Sequence, residues 1–109
     1  MNFTIPDVPV SLNRLERMHW AVRRRYNMDW YWKVKVYAQS WNNNEKRKAT
    51  VKIHQIRARK LDKDNLYGSV KPILDGMKGW LIHDDSTIYI DLTVTQETGK
   101  PVRTLIEVN

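Results

Sequence analysis

The spacing of apolar residues changes along this chain, and that change restricts it to a mixed architecture. Residues 13–40 contain no glycine or proline, and Leu15, Met18, Val22, Tyr26, Trp30, Val34, Tyr37 and Trp41 recur every three or four positions. Such spacing lays one apolar stripe along a helix. Residues 87–96 alternate instead, with Ile88, Ile90, Leu92 and Val94 on one face. Residues 102–108 repeat the alternation with Val102, Thr104, Ile106 and Val108. Period two belongs to half-buried strands. The turn cluster Glu97-Thr98-Gly99-Lys100-Pro101 separates the two, so they read as a hairpin.

The remaining segments fit around these. Residues 2–5 read as a short strand that Pro6 and Pro9 end, since neither carries a donor N–H. Ser11 or Asn13 caps the long helix, with Glu16 three residues after Asn13 in capping-box fashion. The helical run exceeds ordinary length, so its first turns read as loop, and Asn42-Asn43-Asn44 ends it. Residues 49–60 read as a strand. Val51 and Ile53 share one face while Ile56 and Ala58 take the other, which calls for a bulge at His54-Gln55. A second helix over residues 65–79 carries Leu66, Val70, Ile73, Leu74 and Met77 on one side. The Pro72 ring opposes the carbonyl of Gly68, so this helix is kinked or starts properly only near Pro72. The fold class is α+β: a small mixed sheet of about four strands with two packed helices, in the order β-α-β-α-β-β.

A length of 109 residues suits one domain with one core. Nineteen Lys and Arg against twelve Asp and Glu give a net charge of +7, and the sequence pI is near 9.8. A chain this basic is drawn to polyanions, nucleic acid first among them. The candidate phosphate contacts are Arg14, Arg17, Arg23, Arg24, Arg25, Arg57, Arg59 and Lys60, with Lys33, Lys35, Lys46, Arg47, Lys48 and Lys52 adding to the basic half. Trp20, Trp30, Trp32 and Trp41 lie in the same half. Trp30 and Trp41 read as core or dimer interface, and an exposed tryptophan such as Trp20 is suited to stack on an unpaired base. There is no cysteine, which excludes disulfides and zinc–thiolate sites. No signal peptide or membrane-length apolar run is visible, so a cytoplasmic protein with no membrane partner is expected.

Acidic residues in such a chain need an explanation. Asp62 and Asp64 stand two apart, where the strand over residues 49–60 gives way to a helix, and in extended backbone they point to one side. Asp64 also suits a helix N-cap, which would leave Asp62 unexplained. Asp84 and Asp85 follow His83 about twenty residues later; a polar turn explains them as well as a metal site does. Carboxylates repel a polyanion unless a cation lies between them, and magnesium, with manganese as its substitute, favours a few carboxylates plus retained water. His83 beside a turn reads as incidental.

The run Asp62-Lys63-Asp64-Asn65-Leu66, then Lys71, Asp75 and Asp84-Asp85, resembles the RusA-type Holliday-junction resolvases of bacteria and phages. The segments Pro9-Val10-Ser11-Leu12-Asn13 and Met18-His19-Trp20, followed by Arg23, Arg24 and Arg25, are similar to forms in that family. The resemblance implies one RusA-like endonuclease domain over residues 1–109, acting as a homodimer with Mg2+ on branched DNA. It makes Asp62, Asp64 and Asp85 the catalytic, metal-binding carboxylates and Lys71 the catalytic lysine, with Asn65 and Asp84 in support. One departure stands out. The best-known members carry the lysine four residues after the motif's second aspartate. Here position 68 is glycine, and Lys71 comes seven residues after Asp64. Three extra residues are nearly one helical turn, so Lys71 keeps the same face at another height. Its alternative role is an i,i+4 ion pair with Asp75. Asn65 either orients a carboxylate or caps a helix.

The expected function is metal-dependent, structure-selective cleavage of four-way DNA junctions in recombination and repair. A less selective branched-DNA or flap endonuclease is the near alternative. A non-catalytic basic DNA-binding protein is the distant one, and the intact acidic triad argues against it.

Overall fold

In the computed structural model, which describes residues 2–38 and 48–109, four strands form one mixed sheet. The elements run β1 (Asn2–Ile5), α1 (Leu12–Arg17), α2 (Trp20–Tyr37), β2 (Ala49–Arg57), α3 (Lys63–Ser69), α4 (Lys71–Met77), β3 (Ile90–Thr98) and β4 (Arg103–Val108). The class is α+β, as the change of period requires. Trp41, Lys46, Arg47 and the asparagine run lie outside the described residues.

Each expected helix is divided in two. Ser11 caps α1 by accepting from the Arg14 N–H, and Asn13 does not cap it. Met18 and His19 are extended, and His19 Nδ1 accepts from the Ala21 N–H at 3.3 Å to start α2. The first turns expected to be loop are therefore a short helix of their own. The second division falls at Val70, between α3 and α4. Pro72 sits in the first turn of α4, where its missing N–H has no intrahelical partner to lose.

The sheet order is β1-β4-β2-β3. The expected hairpin does not form. β3 lies parallel to β2 on one side, and β4 lies antiparallel to β2 on the other. The turn after β3 does reverse the chain, but it crosses the end of β2, where the Gly99 N–H bonds the Arg57 carbonyl at 2.9 Å. Alternation fixes which face a strand buries; it does not distinguish a neighbour from a next neighbour. Ile88 is not part of β3; it is 74% exposed in the preceding loop.

The expected bulge in β2 is also absent. Pairing with β3 runs residue for residue from Ala49 to Arg57. Gln55 follows Val51 and Ile53 onto the buried face, and a polar residue there disguised the alternation. Gln55 Nε2 donates to Ser69 Oγ at 3.0 Å, Arg57 donates to Gln55 Oε1 at 2.6 Å, and Ser69 Oγ donates to the Leu66 carbonyl. A buried amide with such partners carries little penalty.

Ile5, Val51, Ile53 and Ile106 of the sheet enclose the core with Trp30 and Val34 of α2 and Ile73 and Met77 of α4. α2 and α4 approach closely at Gly76. A Cβ there would lie 3.1 Å from Val34 Cγ2 and 3.3 Å from Tyr31 Cα. Trp30 is a core residue, 1% exposed. The other sheet face carries Thr4, Lys52, Thr93, Thr95 and Leu105, all exposed.

Candidate active site

Past the end of β2 the chain is fastened to β3. Gln96 Oε1 accepts from the Leu61 N–H at 2.9 Å, and Gln96 Nε2 donates to the Leu61 carbonyl at 2.7 Å. Asp62 follows this clamp directly. It is Asp62, not Asp64, that caps α3, with Oδ1 accepting from the Asn65 N–H at 2.9 Å. Asn65 Nδ2 donates to Asp62 Oδ2 at 2.9 Å, while Asn65 Oδ1 accepts from the Asn13 N–H at 2.8 Å. Asn65 thus orients a carboxylate and also satisfies a free N–H at the start of α1. The Asn65 backbone bond, then its side-chain bond, holds the Asp62 carboxyl below the usual aspartate range. Asp64 lies exposed in the first turn of α3, where the helix dipole favours negative charge.

A second group assembles around Asp85. Lys71 donates to Asp85 Oδ2, and Lys78 Nζ lies 3.2 Å from Oδ1. Asp75 lies 3.2 Å from Lys71 and 3.0 Å from Lys78, and Asp84 is 3.8 Å from Lys78. Asp84 Oδ1 also accepts from the Asp85 N–H at 2.8 Å, which fixes the turn. Partial burial alone would raise the Asp85 pKa. The bonds from Lys71 and Lys78 outweigh it and bring the carboxyl down to about 2. Burial likewise opposes the charge on Lys78, and its bonds to Asp75 and Asp85 overcome that and raise its pKa. Sequence reasoning missed Lys78. The available signal was its place three residues after Asp75 and seven after Lys71, inside the helix expected over residues 65–79.

The shifted lysine now has a physical reason. A Cβ at Gly68 would meet Leu12 Cβ at 2.7 Å and its Cδ atoms at 2.6 and 2.8 Å. α1 packs onto α3 there, so position 68 has no room for any side chain. Lys71, the first residue of α4, reaches both Asp85 and Asp75. Gly68→Ala is expected to lower unfolding stability by about 1–3 kcal/mol through overpacking, read as a lower urea midpoint.

The model of the family described as Endodeoxyribonuclease RusA matches residues 14–109. The chain belongs to the RusA endodeoxyribonuclease family. No curated protein matches the sequence. Family membership gives the coarse activity, an endodeoxyribonuclease, and the basic residues can be sorted with that in mind. Arg14, Arg17, Arg24, Arg25, Arg59 and Lys60 are exposed, and Arg23 is half-buried. Arg57 is turned inward. It donates to the Pro9 carbonyl at 2.8 Å and to Gln55, and burial lowers its pKa. It clamps the segment before α1 onto β2. Trp20 is 71% exposed. No helix of the described residues is long and apolar enough to cross a membrane.

Asp62, Asp64 and Asp85 suit a hard divalent cation by donor chemistry, since each offers carboxylate oxygen. Asp62 and Asp85 are both held toward the ionised form. Among the described residues, no three Asp, Glu or His side chains stand already grouped to hold a metal ion. The chain brings Lys71, Lys78, Asp75, Asp84 and Asp85 together, and joins Asp62 to Asn65 at the start of α3.

Proposed function

We propose that this RusA-family chain is a magnesium-dependent endonuclease that cuts four-way DNA junctions as a homodimer, in recombination and repair within the cytoplasm. The observation that carries the reading is the contact of Lys71 with Asp85. It joins two parts of the acidic motif fourteen residues apart, despite the displaced lysine.

Asp62, Asp64 and Asp85 are the residues that would hold the cation, which when bound supplies an activated water and a positive charge beside the scissile phosphate. Asn65 keeps the Asp62 carboxylate aimed. Lys71 and Lys78 keep Asp85 ionised, and Lys71 offers an ammonium to the negative charge that develops on the phosphate. The exposed arginines of α1 and α2, with Arg59 and Lys60, grip backbone phosphates and read shape rather than base sequence. A C2 dimer sets two such sites on opposed strands of a junction that itself has approximate two-fold symmetry.

A synthetic four-way junction and a linear duplex of the same sequence provide the test. Native protein is expected to make paired, symmetric nicks in the junction with magnesium and none with EDTA, while Asp64→Asn makes none in either. Binding without cutting by the native protein would show a DNA-binding module and sink the enzyme reading. Equal cutting of flaps or duplex would leave the nuclease and remove the junction selectivity.

A further inference from the structure

We infer that the groove between Trp20 and Asp75 receives an unpaired nucleobase of the bound DNA strand beside the cleaved phosphate. The inference rests on the junction-cutting reading and adds a base-binding site to it. The groove has a volume of about 360 Å³, near the lower end of small-ligand sites, which run from roughly 300 to 1,000 Å³. Trp20, Met28 and Tyr31 give it flat or deformable apolar surfaces, Arg23 and Arg24 give two guanidinium groups, and Asn27 gives an amide.

Each part matches a part of a nucleotide. The exposed Trp20 indole presents a face on which a base stacks. The guanidinium groups attract the phosphate attached to that base or lie over its ring. A protein segment of ordinary charge would fit the apolar surface, but the arginines and the net charge of +7 favour a polyanion.

The position of the groove also matters. Asp75 lines it as well. Asp75 is in turn paired with Lys71 at 3.2 Å and Lys78 at 3.0 Å, and both lysines hold Asp85. Asp75, in the wall of the groove, therefore shares two lysines with the proposed cleavage carboxylate. Tyr31, which lines the groove, packs closely on α4 at Gly76. Linear duplex holds its bases in one continuous stack, whereas at a branch point the stack is interrupted and the end pair opens more readily, so occupancy of the groove distinguishes the two substrates.

The test uses the full-length protein without divalent metal, so that binding is measured without cutting. Trp20→Ala is expected to bind the junction roughly tenfold more weakly relative to linear duplex, the scale of one lost base–aromatic stack. Trp20→Phe restores most of the loss, which a merely structural role would not produce. Met28→Glu, which adds a carboxylate to the groove wall, reproduces the loss and stands in should Trp20→Ala fail to fold. A junction carrying 5-iododeoxyuridine at the branch point is expected to photocross-link to Trp20 or Tyr31. Unchanged junction preference in both variants, or cross-links confined to other residues, would overturn the groove while native cutting in magnesium keeps the resolvase reading. Should native protein fail to cut the junction, the resolvase reading falls. The groove is then judged on single-stranded oligonucleotide, which Trp20→Ala must still bind about tenfold more weakly.

Discussion

Asp85→Asn is expected to lower junction cleavage in magnesium by roughly 10²–10³-fold, the scale of losing one well-placed charge-stabilising group. Asparagine keeps the shape of the side chain and removes its charge. Lys71 would then keep Asp75, and Lys78 would keep Asp75 and Asp84. The fold should survive, because the lysines are partly exposed and such ion pairs contribute about 1 kcal/mol or less. The measurement pairs a single-turnover cleavage rate with a thermal melt. A cleavage rate within a few-fold of native would remove Asp85 from the chemistry. The pH dependence gives a second check. The Asp85 pKa is depressed from 3.8 to about 2, so the stability that its ionisation adds is complete above the ordinary value and is lost as the pH falls through about 2. The difference in stability between native and variant should shrink over that same window.

Trp30→Ala is expected to have the largest effect on folding. The side chain is 1% exposed against the sheet, and removing a buried tryptophan costs about 3–5 kcal/mol. More than packing is lost. The Tyr26 hydroxyl takes hydrogen bonds from Trp30 and from the Val10 N–H. Lys33 lies 4.9 Å above the indole ring and pairs with Asp7 at 2.7 Å. Trp30 therefore supports the segment between β1 and α1 as well as the core. A fall in melting temperature of more than about 10 °C follows for a chain of this size, and Trp30→Phe should recover a large part of it. A shift of only a few degrees would show that the core closes over the cavity.

How far the sequence revealed the molecule depends on what each signal encodes. The alternation of Val102 to Val108 reports burial of one face, and β4 buries that face. It says nothing of partners, so the crossing of β2 was invisible. Gln55 hid the continuity of β2 because its polar side chain finds Ser69 only in the folded chain. The break at Met18–His19 had no glycine or proline to announce it. At the start of α3, Asp62 and Asp64 both have capping chemistry, and only backbone geometry assigns the cap to Asp62. Lys71 could be found through the motif. Lys78 gains meaning only when the loop after α4 folds Asp85 back between the two lysines, an arrangement that spacing along the chain does not contain.

The placement of β4 between β1 and β2 has a consequence for the order of assembly. Asn2 pairs with Glu107, and Ile5 with Thr104, across almost the whole length of the chain. Thr104 Oγ1 also donates to the Asp7 carbonyl at 2.7 Å. During synthesis β1 is made first yet has no strand to join until residues 103–108 have emerged. α3 and α4 with the parallel pair of β2 and β3 can come together earlier, whereas the N-terminal strand waits for the final one. Such non-local closure slows folding, and it leaves β1 without its strand partner for most of the time the ribosome is at work.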